Sequence, residues 1–110
     1  MGDNVGQLLL SVKDFTITPG PRYKDEGSFS GIEFRENFMI SKFENALNNN
    51  LKLYVNLDGT IGYGTSWLEE VFGGLARDYG INNVLKTIKL ITEEEPYLED
   101  DIIGYIKDAK

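Results

Sequence analysis

The sequence predicts a single α/β domain, residues 1–110, built on a mixed or parallel sheet of four to five strands. Predicted strands and helices alternate along the chain, which favours a sheet packed by helices. A strict apolar-polar alternation from Leu51 to Leu57 indicates a half-buried central strand, with Leu53 and Val55 near the middle of the core. Apolar stripes at helical spacing flank this strand on both sides. The length of 110 residues suits one domain.

Composition narrows the classes of function. The chain has no cysteine and no histidine, which removes thiolate nucleophiles, the usual zinc ligands and the commonest general base. We therefore expect no catalytic residues, no metal site and no cofactor. A net charge of −7 disfavours nucleic acid and anionic membranes as partners. The missing cysteines suit a cytoplasmic location, and the first residues carry no secretory signal.

The first strand signal runs from Leu8 to Ile17, with Asp14 as a candidate break, and ends where two prolines and a glycine interrupt the ladder. A long loop comes next, and long loops in small domains are commonly functional or disordered. Arg22 and Lys24 in this loop could bind a phosphate or a carboxylate. Salt bridges within an acidic protein explain them at least as well.

The first helix begins at Ser30, because Ser30 and Glu33 form the Ser-x-x-Glu capping box. Phe34 and Phe38 are out of phase with the main apolar stripe of this helix. Either the helix changes phase near Met39, or the two rings form an exposed patch that another chain covers.

The second helix is predicted from Ser66 to about Tyr79, with Gly80 as its terminator. Its core stripe is the strongest in the chain. A further strand is predicted from Val84 to Ile91. The last helix has Pro96 in or near its first turn, where a missing N–H does no harm.

A glycine-rich loop precedes the second helix and carries the hydroxyl pair Thr65 and Ser66. Ser66 and Glu69 form a second Ser-x-x-Glu pattern, so we expect Ser66 to be the N-cap. The free N–H groups and the dipole of a helix N-terminus would also favour a phosphate on either hydroxyl. A cap is the commoner role for a serine here. The glycine spacing fits neither a dinucleotide fingerprint nor a P-loop.

The outer surface of the second helix is a candidate for binding a partner protein. Two adjacent glycines inside a helix need a reason, since each costs about 1 kcal/mol relative to alanine. A partner pressing closely on the helix would supply one, and close packing within the domain would supply another. The candidate partner-binding residues are Tyr63, Trp67, Glu70, Gly73, Gly74 and Arg77.

Three motifs together resemble the bacterial STAS-like domains of unassigned function. They are Thr18-Pro-Gly-Pro-Arg-Tyr, Gly27-Ser-Phe-Ser-Gly-Ile-Glu-Phe-Arg-Glu, and the stretch from Val55 that reads Val-Asn-Leu-Asp-Gly-Thr-Ile-Gly-Tyr-Gly-Thr-Ser-Trp-Leu-Glu-Glu-Val-Phe-Gly-Gly-Leu. The resemblance extends over most of the chain. It implies a STAS-type fold, in which the helices pack mainly on one face of the sheet.

The wider STAS group includes anti-sigma factor antagonists, which bind an ATPase-fold serine kinase and are switched by phosphorylation. Their phosphorylated serine begins a helix within Asp-Ser-Ser-Gly. The matching stretch here runs from Gly64 to Trp67, so the resemblance implies that Ser66 is at the acceptor position. The aspartate and the final glycine of that motif are absent from this chain.

These observations support a regulatory protein-binding module that docks through the surface from Gly62 to Arg77, with an ATPase-fold kinase as one candidate partner. The alternative is a small-ligand or nucleotide sensor that uses Arg22 and the Ser66 helix end. An enzyme that uses Asp58 with Glu69 or Glu70 is least favoured, because nothing in the sequence places these carboxylates in a cleft. The sequence does not decide whether the chain forms a homo-oligomer.

Overall fold

The computed structural model describes residues 6–109. In this part of the chain the strands are β1 (Gln7–Ser11), β2 (Lys52–Asn56) and β3 (Ile88–Ile91). The helices are α1 (residues 31–48), α2 (residues 65–79), α3 (Ile81–Thr87) and α4 (Leu98–Lys107). Short 3₁₀ turns occupy Val12–Asp14 and Lys24–Glu26.

The sheet is entirely parallel, with β2 between β1 and β3. Val55 is paired with Leu10 on one side and with Leu90 on the other. Leu53 and Val55 are fully buried, which confirms that β2 is the central strand. The prediction of four to five strands was wrong for the described residues, because these contain three strands.

Part of the difference lies at the first predicted strand, whose signal reached Ile17 with a candidate break near Asp14; the chain does turn there. The strand ends at Ser11, because the backbone turns at Val12–Asp14. The amides of Phe15 and Thr16 both donate to the carbonyl oxygen of Val12 and close this turn. The turn directs the ring of Phe15 into an aromatic cluster with Phe34.

The strand predicted from Val84 to Ile91 was also wrong in its first half. Residues Ile81–Thr87 form α3, and only Ile88–Ile91 form a strand. Gly80 reverses the chain with a φ of +96°. The side-chain Nδ2 of Asn83 donates to the Tyr79 carbonyl oxygen across the junction. Burial of Val84 and Thr87 on one helical face outweighs the β preference of these branched residues.

Each long helix contains one π-helical turn, Arg35–Met39 in α1 and Glu69–Gly73 in α2. A π turn adds a residue to one helical turn and so rotates the buried face of the turns after it. Of the two alternatives for α1, the structure thus shows the change of phase, with Phe34 fully buried and Phe38 40% exposed.

The two faces of the sheet have different surroundings. The face that carries Leu53 and Val55 is buried under the helices. On the opposite face Leu9 is exposed and Tyr54 is half-buried. Within the described residues the helices therefore pack on one face, as the resemblance implied.

Candidate functional site

The long loop between β1 and α1 is folded back on itself, and this brings two of the sequence motifs together. The Gly20 amide donates to the Phe29 carbonyl oxygen at 3.0 Å, and the Gly31 amide donates to that of Pro21 at 2.8 Å. A Cβ on Gly20 would overlap the Ser28 carbonyl oxygen, so only glycine fits there. The loop is thus a closed structure held by its own backbone.

Trp67 joins this loop to the third motif. Its indole N–H donates to the Phe29 carbonyl oxygen at 3.0 Å, and its side chain is fully buried. Its own carbonyl oxygen would lie 2.9 Å from a Cβ on Gly31, so the first turns of α1 and α2 are in close contact. The three motifs therefore form one continuous substructure.

A network of ion pairs joins the same elements. Arg22 from the loop contacts Glu69 at 2.5 Å and Glu70 at 3.3 Å, and Arg77 contacts Glu69 at 2.6 Å. Arg35 contacts Glu70 at 2.7 Å. Hydrogen bonds from Arg77 and Arg22 lower the pKa of Glu69, and the bonds to Glu69 raise the pKa of both arginines.

The buried end of this network is the pair Arg35 and Glu70, whose side chains are 11% and 7% exposed. Arg35 also contacts Asp78 at 2.9 Å, and Asp78 is largely exposed. The Nε atom of Arg35 is buried without a hydrogen-bond partner among the described residues. Both π turns contribute to the pair, since Arg35 begins one and Glu70 lies in the other.

The adjacent glycines of α2 have a reason within the domain. A Cβ on Gly74 would lie 2.7 Å from Nε of Arg35, and a Cβ on Gly73 would overlap a carboxylate oxygen of Glu69. Close packing against the ion-pair network, one of the two explanations that the sequence left open, accounts for both glycines.

The cationic side chains of the loop face carboxylates of the same chain. Arg22 contacts Glu69 and Glu70, and Lys24 lies 3.4 Å from Glu36 on the surface. These are the salt bridges that the sequence offered as the alternative to an anion site. An external anion at Arg22 would have to compete with two carboxylates.

Ser66 is not the N-cap of α2, so that prediction was wrong. Gly64 is the N-cap, and Ser66 is the second residue of the helix. The carboxylate of Glu69 is bonded to Arg22 and Arg77, which leaves no reciprocal capping box. Thr65 and Ser66 are both exposed.

The remaining predicted partner-binding residues differ in accessibility. Trp67, Glu70, Gly73 and Gly74 are buried inside the domain, so their side chains or backbone are used by the fold itself. Tyr63 is half-buried, and its hydroxyl donates to the Leu57 carbonyl oxygen. Burial raises the pKa of Tyr63 to about 12. Arg77 is exposed.

Sequence reasoning named only Phe38 of a set of exposed apolar side chains, which we call the loop patch; its members are Ile17, Phe29, Phe38 and Ile61. Ile61 is 79% exposed, and its amide donates to the Ile17 carbonyl oxygen. The ring of Phe15 contacts both Phe29 and Phe38. Two sequence signals pointed to this patch: the out-of-phase Phe38, and an isoleucine inside a glycine-rich loop.

Two general properties of residues 6–109 bear on the site. In this range no helix is both long enough and apolar enough to cross a membrane. The same residues contain no group of three acidic side chains placed to hold a metal ion.

Comparison with known proteins agrees with the resemblance carried by the motifs. A family model described as a STAS-like domain of unknown function (DUF4325) matches residues 30–98. No curated protein and no solved structure matches the chain. The matched range includes α1, β2, α2 and β3, and with them two of the four residues of the loop patch and all of the ion-pair network except Arg22. The chain therefore belongs to the family of STAS-like domains of unknown function.

Proposed function

We propose that this domain is a regulatory module that docks on a protein partner through the loop patch and the start of α2. The observation that carries the proposal is that Ser66 is exposed and has no capping role, five residues after the exposed Ile61. A serine that the fold does not use as a cap, at the end of a loop with exposed apolar surface, is suited to a contact with another chain.

The loop patch supplies the apolar part of this contact. Ile61 is 79% exposed and Ile17 is 57% exposed, and a backbone hydrogen bond holds them side by side. Exposed apolar side chains grouped in this way are typical of interaction sites. Burying the two isoleucines against a partner would supply binding energy without any change in the domain.

Phosphorylation of Ser66 would change this contact through charge. The phosphate would add close to two negative charges one turn before Glu69 and Glu70, inside a surface that docking would desolvate. The helix N-terminus tolerates such a charge in the free domain. The modification would therefore spare the fold and weaken docking. The resemblance to anti-sigma factor antagonists favours an ATPase-fold serine kinase as the partner.

We also propose that the domain acts by binding and not by catalysis. Asp58, the carboxylate that the sequence offered for catalysis, accepts hydrogen bonds from the amides of Glu93 and Glu94. Glu69 and Glu70 are paired with arginines. All three carboxylates thus have structural partners. A cytoplasmic location is part of the proposal, on the ground that the chain has no cysteine.

The test of the switch compares Ser66→Asp with Ser66→Asn, two substitutions of similar size that differ by one charge. Each variant is titrated by calorimetry against an ATPase-fold serine kinase from the same genome. We expect Ser66→Asn to bind like the unsubstituted domain and Ser66→Asp to bind at least about tenfold more weakly, a difference of about 1.4 kcal/mol. Equal affinities of the two variants would rule out the switch.

A second test locates the docking surface. We expect Ile61→Asp to abolish binding of that kinase, because it places a charge in the centre of the apolar contact. Leu9→Asp is the matched control, since Leu9 is also an exposed aliphatic side chain but lies on the open face of the sheet. Loss of binding in the control alone would show that the wrong surface has been chosen.

The alternative function, sensing of a small anionic ligand, would use Arg22. It requires the ligand to displace Glu69 and Glu70 from the guanidinium. A thermal-shift screen with a nucleotide panel tests it, because a ligand at about 100 times its dissociation constant stabilises by about 2.7 kcal/mol.

A further inference from the structure

The face of the sheet opposite the helices carries a second apolar surface, separate from the loop patch. Leu9 is 59% exposed there, and Tyr54 and Ile91 are half-buried. Together with Gln7 and Leu8 these residues line a cavity of about 570 Å³. We call this surface the sheet face.

A parallel sheet with one open face is unusual. Sheets made only of parallel strands occur almost entirely with both faces covered, unlike antiparallel sheets, which often leave one face to water. Here β1, β2 and β3 are all parallel, and within the described residues only the face of Leu53 and Val55 is covered. The fold thus indicates that something else covers the sheet face when the protein works.

The charge of the sheet face is opposite to that of the molecule. The domain has 18 acidic and 11 basic residues, so a random surface would be acidic. The strand positions on this face carry two lysines and no acidic residue: Gln7, Leu9, Ser11, Lys52, Tyr54, Asn56, Lys89 and Ile91. Lys89 is paired in register with Tyr54 beside the apolar centre. Lys52 lies at the rim, where its ammonium donates one hydrogen bond to the Lys86 carbonyl oxygen and keeps two N–H donors for a partner.

We propose that the sheet face binds an amphipathic helix of another protein, with its apolar side on Leu9, Tyr54 and Ile91 and acidic side chains against Lys52 and Lys89. Neighbouring strands are about 4.8 Å apart, so three strands span about 10 Å. A helix with its side chains is about 10 Å wide. One helix is therefore enough to cover this sheet.

Charge argues for a foreign acidic helix and against a second copy of this chain. In a two-fold contact between two sheet faces, neither Lys52 nor Lys89 would meet an acidic strand position of the other copy, because this face carries only positive charges. Like charges brought together at an interface disfavour that pairing. Acidic side chains placed at the same positions would pair with the lysines and set the orientation of the bound helix.

The test uses two designed helical peptides of about 18 residues, or about five turns. Both have leucines along one side; one carries glutamates and the other lysines on the remaining positions. Binding of each peptide to the whole chain is measured by calorimetry at about 0.15 M salt, where a Debye length of about 8 Å largely screens the distant acidic surface of a chain with net charge −7. We expect the acidic peptide to bind at least about tenfold more tightly than the basic one.

Two variants assign the binding to the sheet face. Lys52→Glu/Lys89→Glu should reverse the preference, so that the basic peptide binds more tightly, because both positions are exposed and each gains the opposite charge. Lys52→Glu also removes an exposed hydrogen bond to the Lys86 carbonyl oxygen, so the stability of the double variant is checked before the titration. Leu9→Asp should abolish binding of both peptides. Ile61→Asp should leave peptide binding unchanged, which separates this proposal from docking at the loop patch. Circular dichroism checks that each variant is folded. If Leu9→Asp is unfolded, the reversed preference of the double lysine variant is the result that assigns the peptide to the sheet face.

Three results would overturn the proposal. The first is that neither peptide binds, or that both bind equally. The second is a dimer of the chain in sedimentation that Leu9→Asp dissociates, because a second copy would then cover the face. The third is binding of the chain to phosphatidylglycerol vesicles that the double lysine variant loses, because the face would then contact lipid.

Discussion

The two long helices begin with the same sequence pattern and yet start in different ways. In α1, a carboxylate oxygen of Glu33 accepts from the Ser30 amide at 3.0 Å, and the Ser30 hydroxyl accepts from the Glu33 amide at 3.2 Å. This is the full capping box. In α2, Ser66 and Glu69 have the same spacing, but the helix starts at Gly64 and Glu69 bonds to Arg22 and Arg77.

The difference shows what a local pattern can and cannot determine. A capping box offers a glutamate one or two bonds to a neutral partner. Charge-assisted bonds to a guanidinium are roughly twice as strong as neutral ones. Glu33 bonds to Ser30 alone within the described part of the chain, whereas Glu69 has two arginines. The same pattern therefore serves as a cap in one helix and supplies an ion-pair partner in the other.

The largest loss of stability should come from a change in the ion-pair network, whose arginines bind Glu69 and so prevent it from capping α2. Glu70→Ala should lower the free energy of unfolding by about 3–5 kcal/mol, because it removes the buried partner of Arg35 and leaves that arginine only the exposed Asp78. Asp78→Ala removes the exposed partner of the same arginine and should cost at most about 1 kcal/mol. Urea denaturation measures both. Similar small losses would show that the buried pair does not hold the loop and helices together.

The capping box of α1 gives the next effect. Ser30→Ala should lower the free energy of unfolding by about 0.5–2 kcal/mol, since the Glu33 amide loses its acceptor. Ser41→Ala is the matched control in the same helix, because Ser41 is exposed in its interior. Both variants are measured by urea denaturation, and an equal loss of stability in the two would contradict the role of Ser30 as the N-cap.

The corresponding change in α2 should have a smaller effect. Ser66→Ala should change the free energy of unfolding by less than about 0.5 kcal/mol, as is usual for an exposed residue without a cap role. A loss as large as that of Ser30→Ala would mean that Ser66 caps the helix in solution.

Glu33 and Glu69 both have a lowered pKa, but for different reasons. Hydrogen bonds from the Ser30 amide and hydroxyl hold the pKa of Glu33 below its ordinary value of 4.5. Bonds from Arg77 and Arg22 lower the pKa of Glu69. A lowered pKa in the folded state means that the contribution to stability is complete above about pH 4.5 and is lost as the pH falls through the folded-state value.

Carbon-detected NMR titration of the two carboxyl groups distinguishes the two causes. In Ser30→Ala we expect the pKa of Glu33 to rise toward its ordinary value, because the hydroxyl bond is gone. In Ser66→Ala the pKa of Glu69 should stay low, because both arginines are unchanged. A rise at Glu69 in that variant would contradict the assignment of its partners.

Features that depend on neighbours along the chain could be predicted from the sequence. The alternation from Leu51 to Leu57 located the central strand, and the stripe of α2 located that helix to within one residue of its start. The Ser30 capping box was likewise predicted, and the change of phase near Met39 was one of two predicted alternatives. The motifs also identified the family, because each is a contiguous stretch of sequence.

Features in which distant residues compete for the same partner or the same space emerge only in the folded chain. Glu69 and Arg22 are 47 positions apart, and their contact removed the predicted cap. Val84 became helical because one face of α3 is buried, although its own preference is for a strand. Gly73 and Gly74 make room for Glu69 and Arg35. Local preferences differ by about 1 kcal/mol or less, so one buried contact outweighs them.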